Sequence, residues 1–367
     1  MNVKKMLFWL HLSLGCAAAT FIFLMSITGF ALVYERQMIH MAERLDYPEP
    51  SHQNLTELSV DELAKIVSGY PHEKRISMIV RNEKNAYVQV SDGGKVIAYL
   101  NPYSGEEILI TSTKTAKFFE RLRSFHRWLT LDGNYSESGR WVNGISNVIF
   151  LVLLLSGIYL WLPKHLNKRL LKQKLTFAKS YSSKSARNYQ WHNIFGLYLS
   201  PILCIIIVTA FFFSFEWPGD SLKKVLSTKS EMSQVSVTPI VVGSSLSQQE
   251  LFSEVASLFN YWQEIQFDIS SESMSIQRFS VDLGSGGEPQ KRFTVYLDTQ
   301  TGNVVQINSF DDRSTYLKAR IYIRYLHTGE VFGVIGQTAA GIASLLACLM
   351  VYTGLMLSIR RWKNYRR

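Results

Sequence analysis

The stretch FWLHLSLGCAAATFIFLMSITGFALVY, from Phe8 to Tyr34, decides the fold. It contains no Asp, Glu, Lys or Arg, and it is long enough to cross a hydrocarbon core of ~30 Å, which takes about 20 helical residues. A second stretch of the same kind, WHNIFGLYLSPILCIIIVTAFFFSF, runs from Trp191 to Phe215 and opens on His192 as the first opens on His11. At an offset of 181, His11, Gly15, Thr28 and Glu35 fall on His192, Gly196, Thr209 and Glu216. Two further apolar stretches stand after His126 and His327. There an offset of 197 lays Gly139, Gly144 and Gly157 on Gly336, Gly341 and Gly354. Ionisable groups near lipid are costly and usually functional. Four histidines at repeat-related positions therefore point to ligands.

Working outward, the 367 residues are 47% hydrophobic with a mean hydropathy near zero, the average of an apolar part and an ordinary water-facing part. The net charge of +10 would suit nucleic acid, but its distribution argues against that partner. Lys4 and Lys5, the eight basic residues from Lys164 to Arg187, and Arg360, Arg361, Lys363, Arg366 and Arg367 stand in three segments without an acidic residue. By the positive-inside rule these segments are cytoplasmic, both termini included, and the two long segments between paired helices are exported. Trp9, Trp128, Trp141, Trp161, Trp191, Trp217 and Trp362 stand at or near expected helix ends, as an interfacial belt requires. Cys16, Cys204 and Cys348 all lie in apolar stretches, so no disulfide is expected in the exported segments. The apolar run continues well past Leu14-Gly15-Cys16, so the N-terminus reads as a retained anchor rather than a cleaved signal. No C-x-x-C-H occurs, which excludes the usual covalent haem attachment.

The expected plan is an α-helical membrane protein with four transmembrane helices and two exported α+β domains, built as helix, domain, helix, repeated. Its bounds are helix one over 1–36, a domain over 37–125, an edge helix with helix two over 126–163, and a basic loop over 164–190. Helix three over 191–217, a second domain over 218–320, an edge segment with helix four over 321–360, and a basic tail over 361–367 complete it. Ser59 to Ser68 and Ser247 to Phe259 read as capped amphipathic helices. Ile76 to Val90 and Ile276 to Val295 supply strand material, and the octets Tyr99 to Glu106 and Tyr296 to Asn303, again 197 apart, read as strand, turn and return strand. Each exported segment is thus expected to be a separate unit of one helix against an antiparallel sheet. Ser227 to Ser247 reads as a linker or edge strand, and the basic loop as a solvated segment or a surface helix on membrane lipid.

His11-x-x-x-Gly15, the turn Tyr99 to Gly105, Leu326-His327-Thr328-Gly329, Ser156-Gly157 and Thr353-Gly354, taken in this order, resemble the PepSY-associated transmembrane family. The resemblance covers nearly the whole chain. It implies PepSY domains in the periplasm, a bacterial inner-membrane location, and kinship with iron-regulated proteins and ferric-siderophore reductases that carry two b-type haems. One departure is Ala210, which stands where the first repeat has Gly29.

A six-coordinate b haem takes two neutral imidazoles facing each other across the iron. Alternating topology puts His11 and His192 at cytoplasmic helix ends, and His126 and His327 at or before periplasmic ones. A cross-membrane pair would have to bridge most of a ~30 Å core. The pairs are therefore His11 with His192, and His126 with His327. Gly15 and Gly196, one turn beyond their histidines, are expected to leave room for a flat macrocycle. Gly157 and Gly354 lie at the depth of the first pair and Gly29 at that of the second, although close helix packing would equally explain any single glycine. Arg123, Arg127, Arg320 and Arg324 stand near His126 and His327, where they would meet propionates or an anionic ferric complex. His40, His52, His72 and His165 have no repeat partner and are assigned no role.

No nucleotide fingerprint appears at a strand-helix junction, so the electron donor is expected to be another molecule, cytoplasmic or a quinol. The resemblance implies a ferric siderophore in the periplasm as acceptor. Two alternatives stay open at this level: a haem-free PepSY protein that binds or regulates a periplasmic partner or peptidase, and a haem protein with a quinone or periplasmic enzyme as acceptor.

Overall fold

Four helices carry the apolar stretches in the computed structural model, which describes residues 3–49, 56–110, 112–163, 167–226, 245–269, 275–284 and 286–365. In chain order the helices are α1 (Val3–Leu32), α2 (Glu35–Leu45), α3 (Val60–Ser68), α4 (Ser112–Trp128), α5 (Glu137–Trp161), α6 (Lys168–Leu175) and α7 (Lys184–Ser214). They continue as α8 (Trp217–Leu226), α9 (Gln248–Ser257), α10 (Thr315–Thr328) and α11 (Gly333–Tyr365). The strands are β1 (Ile76–Arg81), β2 (Val88–Asp92), β3 (Lys95–Leu100), β4 (Glu264–Asp268), β5 (Ile276–Asp282), β6 (Arg292–Asp298) and β7 (Val304–Asn308). The chain divides into a helical unit, Met1–Glu35 with Lys117–Leu226 and Ala319–Arg367, and a sheet unit, Arg36–Ala116 with Ser227–Lys318.

In the helical unit α1, α5, α7 and α11 are each long and apolar enough to cross a membrane. α1 packs on α5 and α11, and α7 packs on the same two helices, so α1 and α7 stand diagonally across a four-helix bundle. Its middle is filled by Leu154, Leu199, Leu203, Ile207, Ala343 and Ala347, with Ala18, Ile22 and Leu153 beside them. Its outer surface leaves Phe23, Phe30, Ile145, Leu155, Ile205, Val208, Ile342 and Leu345 exposed. Such an apolar mantle is stable only against lipid. Pro201 stands inside α7, where its missing N–H leaves the Leu197 carbonyl without a helical donor. The Ser200 hydroxyl donates to that carbonyl at 2.7 Å.

The spans differ in detail from the expected bounds. α7 begins at Lys184, seven residues before Trp191, because Ser183 caps it by accepting from the Ala186 N–H. Part of the basic loop is helical, as α6. His126 and His327 ride on short helices of their own, α4 and α10. Two glycines make the returns from these helices possible. A Cβ on Gly139 would overlap the Trp128 carbonyl oxygen, and one on Gly336 would overlap that of Gly329.

In the sheet unit the two expected domains are one. A single antiparallel sheet runs in the order β3-β2-β1-β4-β5-β6-β7, so the halves join through β1 and β4. That joint pairs Ser77 with Asp268 and Val80 with Ile265. An offset of 188, the separation of the caps Ser59 and Ser247, carries Ser77 onto Ile265 and Val80 onto Asp268. The contact therefore maps onto itself, as a pseudo-twofold pairing does. A lone helix on a three-stranded sheet leaves a hydrogen-bonding edge open, and joining the halves removes one edge from each. Both helices begin with a capping box, Ser59 with Glu62 and Ser247 with Glu250. Leu63, Val67, Leu251 and Val255 of these helices pack with Met78, Val90, Ile265, Phe267, Phe279, Val281, Val295 and Leu297 of the strands in one core. Fully burying such a side chain is worth roughly 1.5–3 kcal/mol.

Both octets form the same turn: Gly105 N–H donates to the Asn101 carbonyl and Gly302 N–H to that of Asp298, and both glycines have φ +71°. That backbone conformation is open to glycine at little cost. The return strand is β7 in the second half but a single bridge, Leu100 with Glu107, in the first. β4 and α2 carried no recognised sequence signal. The linker expected at Ser227 to Ser247 lies, but for its last three residues, outside the described residues, as do His52 and His165.

Candidate haem-binding site

The four histidines that stand at the starts of the apolar stretches come together in two pairs. His11 on α1 and His192 on α7 have ring centres 6.3 Å apart with planes at 87°. His126 on α4 and His327 on α10 have ring centres 6.5 Å apart with planes at 55°. His126 rests on α1 at Thr28 and His327 on α7 at Thr209, so both pairs lie along the α1/α7 diagonal. From His11 to Thr28, and from His192 to Thr209, is 17 residues, which separates the pairs by ~25 Å along the helices.

Every ring is braced from behind in the same way. His11 Nδ1 lies 2.9 Å from the Ser156 hydroxyl, His192 Nδ1 3.2 Å from that of Thr353, His126 Nδ1 2.8 Å from that of Thr28, and His327 Nδ1 3.1 Å from that of Thr209. Each hydroxyl already donates its own proton along its helix: Ser156 to the Leu153 carbonyl, Thr353 to Leu349, Thr28 to Leu24 and Thr209 to Ile205. With the hydroxyl proton on the helix carbonyl, the oxygen is free to accept from Nδ1–H, the tautomer that leaves the lone pair on Nε2. No hydrogen bond engages Nε2 of any of the four among the described residues. A metal-ligating histidine typically has this arrangement, its second nitrogen donating to a fixed acceptor.

The spacing suits a metal between the rings. With a metal–nitrogen bond of about 2 Å on each side and about 1 Å from nitrogen to ring centre, two axial imidazoles have centres roughly 6 Å apart. Among the described residues no group of three or more His, Cys, Asp or Glu could hold an ion. A metal between two imidazoles must therefore bring its remaining ligands with it, as the iron of a porphyrin does. The donor set at each pair is compatible with a non-covalent b haem, which His11 and His192 would hold at one pair and His126 and His327 at the other.

The glycines divide into two groups. A Cβ on Gly157 would stand 3.3 Å from His11 Cε1, one on Gly354 3.2 Å from His192 Cε1, and one on Gly29 3.4 Å from His126 Cε1. These three make room for the imidazole rings themselves. Gly15 and Gly196 do not face a histidine: their Cβ positions meet Leu153 at 3.7 Å and the end of Met350 at 3.3 Å. At these contacts a small residue lets the helix backbones approach.

The arginines near these histidines also have protein partners. Arg123 pairs with Glu35, the residue that ends the first repeat motif, and Arg140 with its equivalent Glu216. Arg127 stacks on Trp128 at 4.8 Å and Arg324 on Tyr325 at 5.7 Å. Of the unmatched histidines, His40 meets Glu83 and His72 the Tyr70 carbonyl, both in the sheet unit. The bracing hydroxyls were not assigned from sequence, although a signal existed. Thr28 and Thr209 fall on one another at the offset of 181, Ser156 and Thr353 at 197, and three of the four precede a glycine.

A family model described as the PepSY-associated TM region matches residues 8–361. No curated protein matches the chain.

Proposed function

The chain belongs to the PepSY-associated TM region family, and on that footing we propose that it is a di-haem b protein of the bacterial inner membrane. In this reading it carries electrons from the cytoplasmic side to a ferric siderophore in the periplasm. The observation that carries the reading is the pair of facing imidazole couples, with ring centres at 6.3 and 6.5 Å and all four Nδ1 atoms tied to hydroxyls. A haem b held by each couple would supply one-electron exchange.

The protein's own contribution is geometric and electrostatic. Ser156, Thr353, Thr28 and Thr209 hold the ring protons on Nδ1, so no proton must leave before Nε2 can bind. Gly157, Gly354 and Gly29 let the rings seat against neighbouring helices. The reaction moves one electron per iron: the siderophore's Fe(III) becomes Fe(II), which its hard oxygen ligands hold less tightly, and a reduced cytoplasmic carrier or membrane quinol loses the electron.

The test is a visible spectrum of the detergent-purified full-length protein with a pyridine haemochrome count, followed by addition of ferrioxamine to the dithionite-reduced protein. A Soret band, about two haems per chain and rapid reoxidation by ferrioxamine are expected. A colourless, well-folded preparation would overturn the haem reading in favour of a haem-free partner-binding protein. A red protein that ferrioxamine does not oxidise would overturn the acceptor alone.

A further inference from the structure

One face of α5 reaches both histidine couples. Asn143, Phe150 and Gly157 are seven residues apart, two helical turns each, so they stand in one row along the helix. At one end of the row the Asn143 side-chain amide donates to the His126 carbonyl at 2.8 Å. At the other end a Cβ on Gly157 would stand 3.3 Å from His11 Cε1. Phe150 is halfway, ~10 Å along the helix from each. Among the described residues it alone packs against both apolar clusters of the bundle's middle, the one containing Ala18 and Ile22 of α1 and the one containing Leu199 and Leu203 of α7. Phe195 and Phe211, the other rings in that packing, belong to α7 at the depths of the two couples, three residues after His192 and two after Thr209.

The offset of 197 carries this row onto Ala340, Ala347 and Gly354 of α11, where Gly354 faces His192 as Gly157 faces His11. α5 and α11 form the second diagonal of the bundle, so Phe150 and Ala347 are opposed across its middle. Two equal large side chains cannot both occupy the centre of a twofold arrangement, whereas a ring on one side and the buried methyl group of Ala347 on the other can. An electron crossing between the couples must tunnel through whatever fills this middle, and its coupling falls more steeply across a void than across atoms in van der Waals contact. A void too small for water leaves its lining without partner atoms. Resting on the haem reading above, we infer that Phe150 is the bridge between the two couples, the side chain through which the electron passes. One electron leaves the iron at one couple and enters the iron at the other, while the ring is neither oxidised nor reduced and no proton moves.

Two measurements on the purified full-length protein test this. The first is thermal unfolding in detergent, which reports the packing whether or not haem is bound. Phe150→Ala should melt several degrees lower, and adding Ala347→Phe should recover most of the loss, because the ring returns to the same space from the other side. The second is electron flow into liposomes that enclose ferricyanide, driven by excess dithionite outside. Phe150→Ala should slow ferricyanide reduction several-fold with haem content and both midpoint potentials unchanged, Phe150→Leu should slow it less, and the exchanged pair should restore it. Flow that is unchanged in Phe150→Ala with both haems in place would overturn the inference, as would an exchanged pair that does not recover the flow. Where the alanine variant fails to fold, unchanged flow in Phe150→Leu overturns it equally. An unsubstituted protein without haem is a different failure, that of the reading beneath it.

Discussion

His11 and His192 face each other at 6.3 Å between ring centres, and neither ring depends on the other to stay there. His11 leans on Ser156 of α5 and His192 on Thr353 of α11, the two helices that flank the diagonal. The gap between them is thus held open by side chains whose rotamers are locked by hydrogen bonds and packing. A site held in this way binds its ligand without first having to order its own ligating groups.

Loss of either member of a couple should affect one haem and spare the other. His11→Ala and His192→Ala should give one class of redox titration, His126→Ala and His327→Ala a second. A class containing His11 with His126 would show that the couples are wrongly drawn. Before substitution both haems should be low-spin in both redox states.

The two groups of glycines should respond differently to a methyl group. Gly157→Ala and Gly354→Ala place a carbon 3.3 and 3.2 Å from a histidine ring and should cost about 1–3 kcal/mol or displace the ring. Gly15→Ala meets only Leu153 at an ordinary 3.7 Å and should gain up to ~1 kcal/mol of helix propensity. Haem content and thermal unfolding in detergent measure both. A Gly15→Ala protein that loses haem while Gly157→Ala keeps it would reverse the assignment.

In the sheet unit Arg81 of β1 meets Glu43 of α2 at 2.8 Å, with 16% and 12% of the two side chains exposed. Glu264 also faces Arg81, at 3.4 Å, so Glu43→Ala leaves the guanidinium one carboxylate and should destabilise the sheet by less than the ~3–5 kcal/mol of a fully buried pair broken outright. The double change Glu43→Leu with Arg81→Met should cost less than the single one. Limited proteolysis of the full-length chain across a temperature series reports the difference, and a milder single variant would count against the buried pair.

Acid stability offers a fourth test. The backbone N–H of Thr301 first, then that of Gln300 and the Thr301 hydroxyl, hold the Asp298 carboxyl below its usual range. Because the folded value lies below the unfolded one of ~3.9, its stabilisation is fully present above that pH and is lost as pH falls through the lowered folded value. Asp298→Ala should therefore melt earlier than the unsubstituted protein at pH 7, with the gap closing toward pH 3. A gap that is constant with pH would assign the loss to the turn's shape rather than to its charge.

Much of this molecule is written in local, countable features. Apolar length makes four spans, and the offset of 181 singles out His11 and His192, while His126 and His327 stand ahead of the two stretches whose glycines repeat at 197. Serine caps and Asn/Asp-Gly turns mark the helices and hairpins because those interactions close within a few residues. What only the tertiary structure decided joins segments far apart in the chain. Whether a glycine faces a histidine or a leucine depends on the rotation of one helix against another, which separated Gly157 from Gly15. That Ser156 braces His11, and Thr28 braces His126, depends on contacts across 145 and 98 residues. The merging of two expected domains into one sheet came from β1 pairing with β4. A strand's open edge exposes the same N–H and C=O groups whatever its side chains, so alternation along a strand says which face is buried but not which strand will be its neighbour.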